Sequence, residues 1–248
     1  MKAAILLTFC SILLMTNAAQ AVYTEANAYS SSDSGDKPYS EASYTNSYGT
    51  EYMGIAEVES NFLKSLSNIE LGSKYFYNEV DGLANAIAQT TIPLRVLSDG
   101  PISFDWSLTG EMRIAMVNPY VNYGSQLDTS YAVSIIDSLS SDSASSSDML
   151  SVTDADPAGS YIVPVDLLEM YDFGGDSFSA GSIIDITLEL QTDVAGTYGY
   201  YGTGTVVSSD FSDSLTIGNL DNLVIAPEPA SIFLLLLGGI GLRKLRKR

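Results

Sequence analysis

Asp154-Ala155-Asp156-Pro157-Ala158-Gly159 places two carboxylates one residue apart ahead of a glycine, which is how a calcium-binding loop opens. A complete loop of that type needs further oxygen ligands and a glutamate at its twelfth position. This chain has Val165 there, so the segment reads as a polar turn. Gly199-Tyr200-Tyr201-Gly202-Thr203-Gly204 is rich in glycine, but not in dinucleotide-fingerprint order and not before a helix, and it reads as a flexible hairpin. Paired carboxylates can hydrolyse a glycosidic bond without histidine, yet no compact acidic motif such as Glu-x-Asp-x-x-Glu marks a pair on one strand face. The chain has no histidine, and its single cysteine, Cys10, lies in an N-terminal apolar run. A Ser-His-Asp triad, a Cys-His dyad, a thiolate zinc site and a disulfide in the mature chain are thereby excluded. The expectation is a protein without catalytic residues, cofactor or metal.

Sugar binding needs flat exposed aromatic rings beside polar groups. Trp106 alternates strictly with Phe104 and is expected in the core. Tyr120, Tyr123, Tyr198, Tyr200 and Tyr201 lie near glycine or proline turns and are the better platform candidates. A carbohydrate-binding module is therefore the alternative reading, and a secreted glycoside hydrolase using acidic residues a more distant one.

Charge narrows the partners. The 248-residue chain carries a formal charge of −19. All its acidic residues except Glu228 fall within 22–226, where the only bases are Lys37, Lys64, Lys74, Arg95 and Arg113. Such a surface repels phosphate backbones, so nucleic acid is excluded as a partner. Its ordinary consequence is solubility.

Both ends read as sorting segments. Met1-Lys2 starts a short positive region, Ala3 to Met15 is almost unbroken apolar sequence, and Ala19-Gln20-Ala21 supplies the small-x-small pattern that a signal peptidase needs. Residues 1–21 are expected to form a cleavable signal helix, cut between Ala21 and Val22. At the other end Pro227-Glu228-Pro229 precedes an apolar segment, Ile232-Phe233-Leu234-Leu235-Leu236-Leu237-Gly238-Gly239-Ile240-Gly241-Leu242. A basic stop follows: Arg243, Lys244, Arg246, Lys247 and Arg248. At ~1.5 Å per residue, a helix from Ala230 to Leu242 covers roughly 20 Å, short of a hydrocarbon core near ~30 Å. It is a marginal anchor alone. The basic cluster keeps it from translocating and leaves residues 22–226 outside. The prolines hold the preceding peptide extended and accessible.

This order of parts resembles the PEP-CTERM sorting signal of Gram-negative bacteria, over residues 227–248. The resemblance implies that an integral-membrane exosortase recognises and removes the tail, and that the chain is exported in a host that makes exopolysaccharide. Expected partners are then signal peptidase and exosortase during processing, the inner membrane transiently, and exopolysaccharide at the cell surface or in the extracellular matrix.

Between the ends, residues 22–52 are rich in Ser, Tyr, Asp and Glu and read as a polar, flexible leader. Their tyrosines Tyr44, Tyr48 and Tyr52 suit either a polar β-segment or a modified linker. From 53 to 226, period-two patterning dominates. Ile102, Phe104, Trp106 and Leu108 alternate with Ser103, Asp105 and Ser107, and Met112, Ile114 and Met116 alternate with Arg113 and Ala115. Thr109-Gly110-Glu111 fits a hairpin between those two runs. Tyr131, Val133 and Ile135 repeat the pattern, and so do Ile184, Ile186, Leu188 and Leu190. Short helices are expected only at Asp81 to Thr90 and Val165 to Tyr171, and the Ser/Asp-rich stretch 137–150 reads as a loop. Strands with one apolar face need a second such face to cover them. The expected fold is all-β, an antiparallel β-sandwich or jelly roll, with a hydrophobic helix at each end.

Overall fold

The alternation becomes strands, and more of them than its clearest runs indicate. The computed structural model describes residues 21–226, apart from 48, 60–61, 73–77, 80–81, 118–125, 139–142, 154, 174–176, 198–199 and 203. Both sorting segments, with Pro227-Glu228-Pro229, lie outside the described residues. In chain order the strands are β1 (Ala21–Ala28), β2 (Ser31–Gly35), β3 (Tyr39–Thr45), β4 (Glu51–Glu59), β5 (Phe62–Glu70), β6 (Asn78–Glu79), β7 (Gly82–Val96), β8 (Ser103–Met116), β9 (Gln126–Asp137), β10 (Ser143–Thr153), β11 (Gly159–Asp172), β12 (Ile183–Thr197), β13 (Tyr200–Tyr201), β14 (Val206–Asp221) and β15 (Leu223–Ile225). No helix occurs among the described residues, and so none long and apolar enough to cross a membrane.

All pairings between these strands are antiparallel. A seven-stranded sheet runs β10-β9-β12-β7-β1-β2, with β15 also on β7; a six-stranded sheet runs β11-β8-β14-β5-β4-β3. The two sheets face each other over a shared interior. Phe104, Trp106, Leu108 and Met112 of β8 meet Val133 and Ile135 of β9 and Ile184 to Leu190 of β12 in one apolar cluster.

The interior is uneven in thickness. Towards β11 it is aromatic: Phe104 stacks on Tyr171 at 5.0 Å, Phe173 meets both edge-on, and Tyr131 lies 4.8 Å from Phe211. Where β4 and β5 cross β1 and β7 it is built from Ala26, Ala28, Ala56, Ala84, Ala86 and Ala88. A Cβ on Gly54 would run into the backbone oxygen of Asn85, so the two sheets touch there almost backbone to backbone. Hydroxyls bridge the narrow gap. Ser65 Oγ donates to the Ala86 carbonyl at 2.9 Å and lies 2.7 Å from Thr192 Oγ1, while Ser67 Oγ donates to the Thr192 carbonyl at 3.0 Å.

Several sequence expectations change. The two expected helices are parts of β7 and β11. Ala84, Ala86 and Ala88 point inward and Asn85, Ile87 and Gln89 outward, and pairing with β1 and β12 overrides the helical preference of alanine. The expected loop 137–150 contributes to β10, whose serines stay solvated at a sheet edge while the backbone pairs with β9. The expected hairpin at Thr109-Gly110-Glu111 is the uninterrupted middle of β8. Gly110 faces inward, where a Cβ would meet the Phe211 ring and lie 2.6 Å from the Asp210 oxygen. Residues 22–52, read as a flexible leader, supply β1, β2 and β3 and bury Thr24, Ala26, Ala28, Ser40 and Ala42. Their polar residues form the outer faces. Tyr44 and Tyr52 pack with Tyr29, centroids 5.3–6.1 Å apart, while Tyr48 is outside the described residues.

Candidate functional site

Of the calcium-loop pair, Asp154 lies outside the described residues. Asp156 Oδ2 accepts hydrogen bonds from the Thr153 backbone N–H at 2.8 Å and from its hydroxyl at 3.0 Å. These bonds hold the Asp156 carboxyl below its ordinary pKa and close a polar turn. Among the described residues no group of three or more His, Cys, Asp or Glu side chains gathers as a metal site. Tyr120, Tyr123 and Tyr198 are outside the described residues. The backbones of Tyr200 and Tyr201 form β13 against β6, and their side chains are not described. Gly202 donates to the Val117 oxygen at 2.6 Å, and Gly204 takes a φ of 82°, a turn conformation suited to glycine. Trp106 is 1% exposed and belongs to the core, with its indole N–H lacking a hydrogen-bond partner among the described residues.

A more organised polar surface occupies the outer face of the seven-stranded sheet. Strand register brings Asn27, Asn85, Asp193 and Ser130 into one row across β1, β7, β12 and β9. Asn27 Nδ2 donates to Asn85 Oδ1 and to Glu25 Oε1, both at 2.8 Å. Tyr23 donates to Glu25 Oε2 at 2.6 Å, and Gln191 Nε2 to Asp193 Oδ2 at 2.8 Å. Burial raises the Asp193 pKa against the hydrogen bonds from Gln191 and Asn85. The bonds from Tyr23 and Asn27 lower that of Glu25. The result is a fixed plane of amide and carboxylate groups, suited to holding hydroxyls by hydrogen bonds. Its sequence signal was every-second-residue polarity in Glu189, Gln191 and Asp193, with Asn85 and Gln89 flanking Ile87 on the neighbouring strand. Only strand register reveals that these stand side by side.

The third feature is the meeting of the first and last described strands. On one side of β7, Ala21 lies opposite Thr91, while Leu223, Val224 and Ile225 lie opposite Val96, Arg95 and Leu94. The Ala226 N–H donates to the Pro93 oxygen at 2.8 Å. First and last strands thus meet head to tail on a single strand, with Pro93 at the seam. Pro93 lacks an N–H of its own and serves there through its carbonyl, which accepts the Ala226 N–H just past the end of β15. The proposed signal-peptide cut, Ala21/Val22, falls within the first two residues of β1, and Pro227 follows the hydrogen-bonded Ala226 in the sequence. No protein-family model, curated protein or solved structure matches this chain.

Proposed function

We propose that the chain is an exported, non-enzymatic cell-surface or matrix protein of a Gram-negative bacterium, a two-sheet sandwich sorted by a PEP-CTERM signal and associated with exopolysaccharide. The observation carrying this reading is the tripartite terminus: Pro227-Glu228-Pro229, the apolar segment to Leu242 and the basic cluster from Arg243. It is supported by the placement of the strands between the two sorting segments, with Ala21 and Ala226 at one seam. Signal peptidase and exosortase act on it, and the inner membrane holds it between those two events. Changing Pro227, Glu228 and Pro229 to alanine should leave the anchor and remove the recognition peptide, so that unprocessed precursor accumulates in the membrane. Neutralising Arg243, Lys244, Arg246, Lys247 and Arg248 should instead weaken retention. Equal release of the triple-alanine and original proteins in an exosortase-containing host would reduce the motif to a linker.

The amide and carboxylate face favours a second reading, direct carbohydrate binding. Glycan retention that falls on Asn85→Ala or Gln191→Ala, with the fold intact, would establish it. Retention unchanged in both variants would remove it.

A further inference from the structure

Resting on the reading that the tail holds the precursor in a membrane, we infer that the seam end of the seven-stranded sheet is the surface that lies against the lipid headgroups. Ile183, Arg95 and Val224 form one cross-strand row over β12, β7 and β15. Their chain neighbours Ile184, Leu94, Val96 and Leu223 are buried, so this row points away from the core. Ile183 is 53% exposed, Val224 41%, and Leu97, just past the end of β7, 59%. Ile136, also exposed, stands opposite Thr187 four residues along the same face. A cluster of exposed apolar side chains on so acidic a protein marks a surface that is covered in use.

Two observations identify what covers it. The first is reach. Ala226 is hydrogen-bonded to Pro93, and the apolar tail begins at Ala230. Four extended residues span at most ~14 Å, so the face beside Ala226 cannot stand off from a membrane that the tail enters. Ala21, the first described residue, lies beside the same seam, opposite Thr91. The second is chemistry. Arg95 sits between Ile183 and Val224 and forms no ion pair among the described residues. Its stem can lie along apolar side chains while the guanidinium meets lipid phosphate. Asp185, exposed opposite Pro93, limits the contact to headgroup depth.

The test uses the full chain with Cys10→Ser, expressed in a host without exosortase, and single cysteines at Leu97, Ile183 and Val224 carrying an environment-sensitive fluorophore. Leu168→Cys, on β11 of the other sheet, is the control, since Leu168 is 76% exposed and distant from the seam in the strand order. Emission of Trp106 checks that each variant is folded. In carbonate-resistant membranes, the three seam labels should shift to the blue and be quenched by nitroxide lipid several-fold more than the label at 168. Arg95→Glu should reduce that quenching while the chain stays carbonate-resistant. Equal solvent exposure of all four labels on carbonate-resistant protein overturns the contact and spares the anchor. Release of the chain by carbonate overturns the anchor, and the contact with it.

Discussion

Gly54 and Gly110 serve approach rather than turning: one lets β4 reach the Asn85 backbone, the other makes room for Phe211. Gly110→Ala should cost about 1–3 kcal/mol of stability, because a ring and a strand backbone must shift. Gly54→Ala should cost more, because only backbone can move there. Urea midpoints followed by the emission of Trp106, the sole tryptophan, measure both. The hairpin reading of Thr109-Gly110-Glu111 fails for the same physical reason: the ring that needs the glycine belongs to a strand far along the chain. Asp193 makes a prediction with a definite sign. Its pKa is raised in the folded state, so its contribution to stability is fully present below the ordinary carboxylate value of 3.8 and is lost as pH rises through the folded value. Asp193→Asn should therefore raise the melting temperature at pH 7, with the gain disappearing by about pH 3.5. Glu25, lowered by Tyr23 and Asn27, works in the opposite sense: its contribution is present above its unfolded value and fades on acidification.

At the scale of elements, legibility follows the contrast between a strand's two faces. β8, β9 and β12 were readable because large apolar residues alternate with polar ones along them. The second half of β7 was readable at 92–97, but its first half was not, since its inward residues over 84–88 are alanines, which fit a helix equally well by composition, and only a closely approaching opposite sheet calls for side chains that small. β10 and β1 to β3 were unreadable because serine and tyrosine satisfy an edge or an outer face without any apolar period. The polar row of Asn27, Asn85 and Asp193 was hidden differently: each residue was visible, their adjacency was not. β15 is the shortest strand of the seven-stranded sheet, yet Leu223 is 4% exposed and part of the main cluster. Leu223→Ala should cost roughly 2–3 kcal/mol and speed hydrogen exchange at the Ala226 amide, which Pro93 accepts. An unchanged exchange rate would mean that the seam is held by the β7 backbone alone.

The whole molecule should fold without metal or disulfide, because the shared apolar interior of the two sheets supplies the driving force and a single cysteine, Cys10, has no second to pair with in the chain. Melting should be cooperative and unaltered by chelator, with calcium raising the midpoint slightly by screening carboxylates. A chain unfolded in chelator and restored by calcium would refute this. The mature protein should begin at Val22 and lack Leu245 to Arg248, as intact mass will report. The strand order also bears on timing. β12 alone joins the β10-β9 pair to β7, and β14 alone joins the β11-β8 pair to β5. These two bridging strands are among the last to be synthesised. In a chain made N-terminus first, the β10-β9 pair can join β7 only once β12 is complete at Thr197, and the β11-β8 pair can join β5 only once β14 is complete at Asp221. The sheet of β11-β8-β14-β5-β4-β3 is thus the later of the two to become whole, and a chain cut short of β14 would hold its two halves with nothing between them.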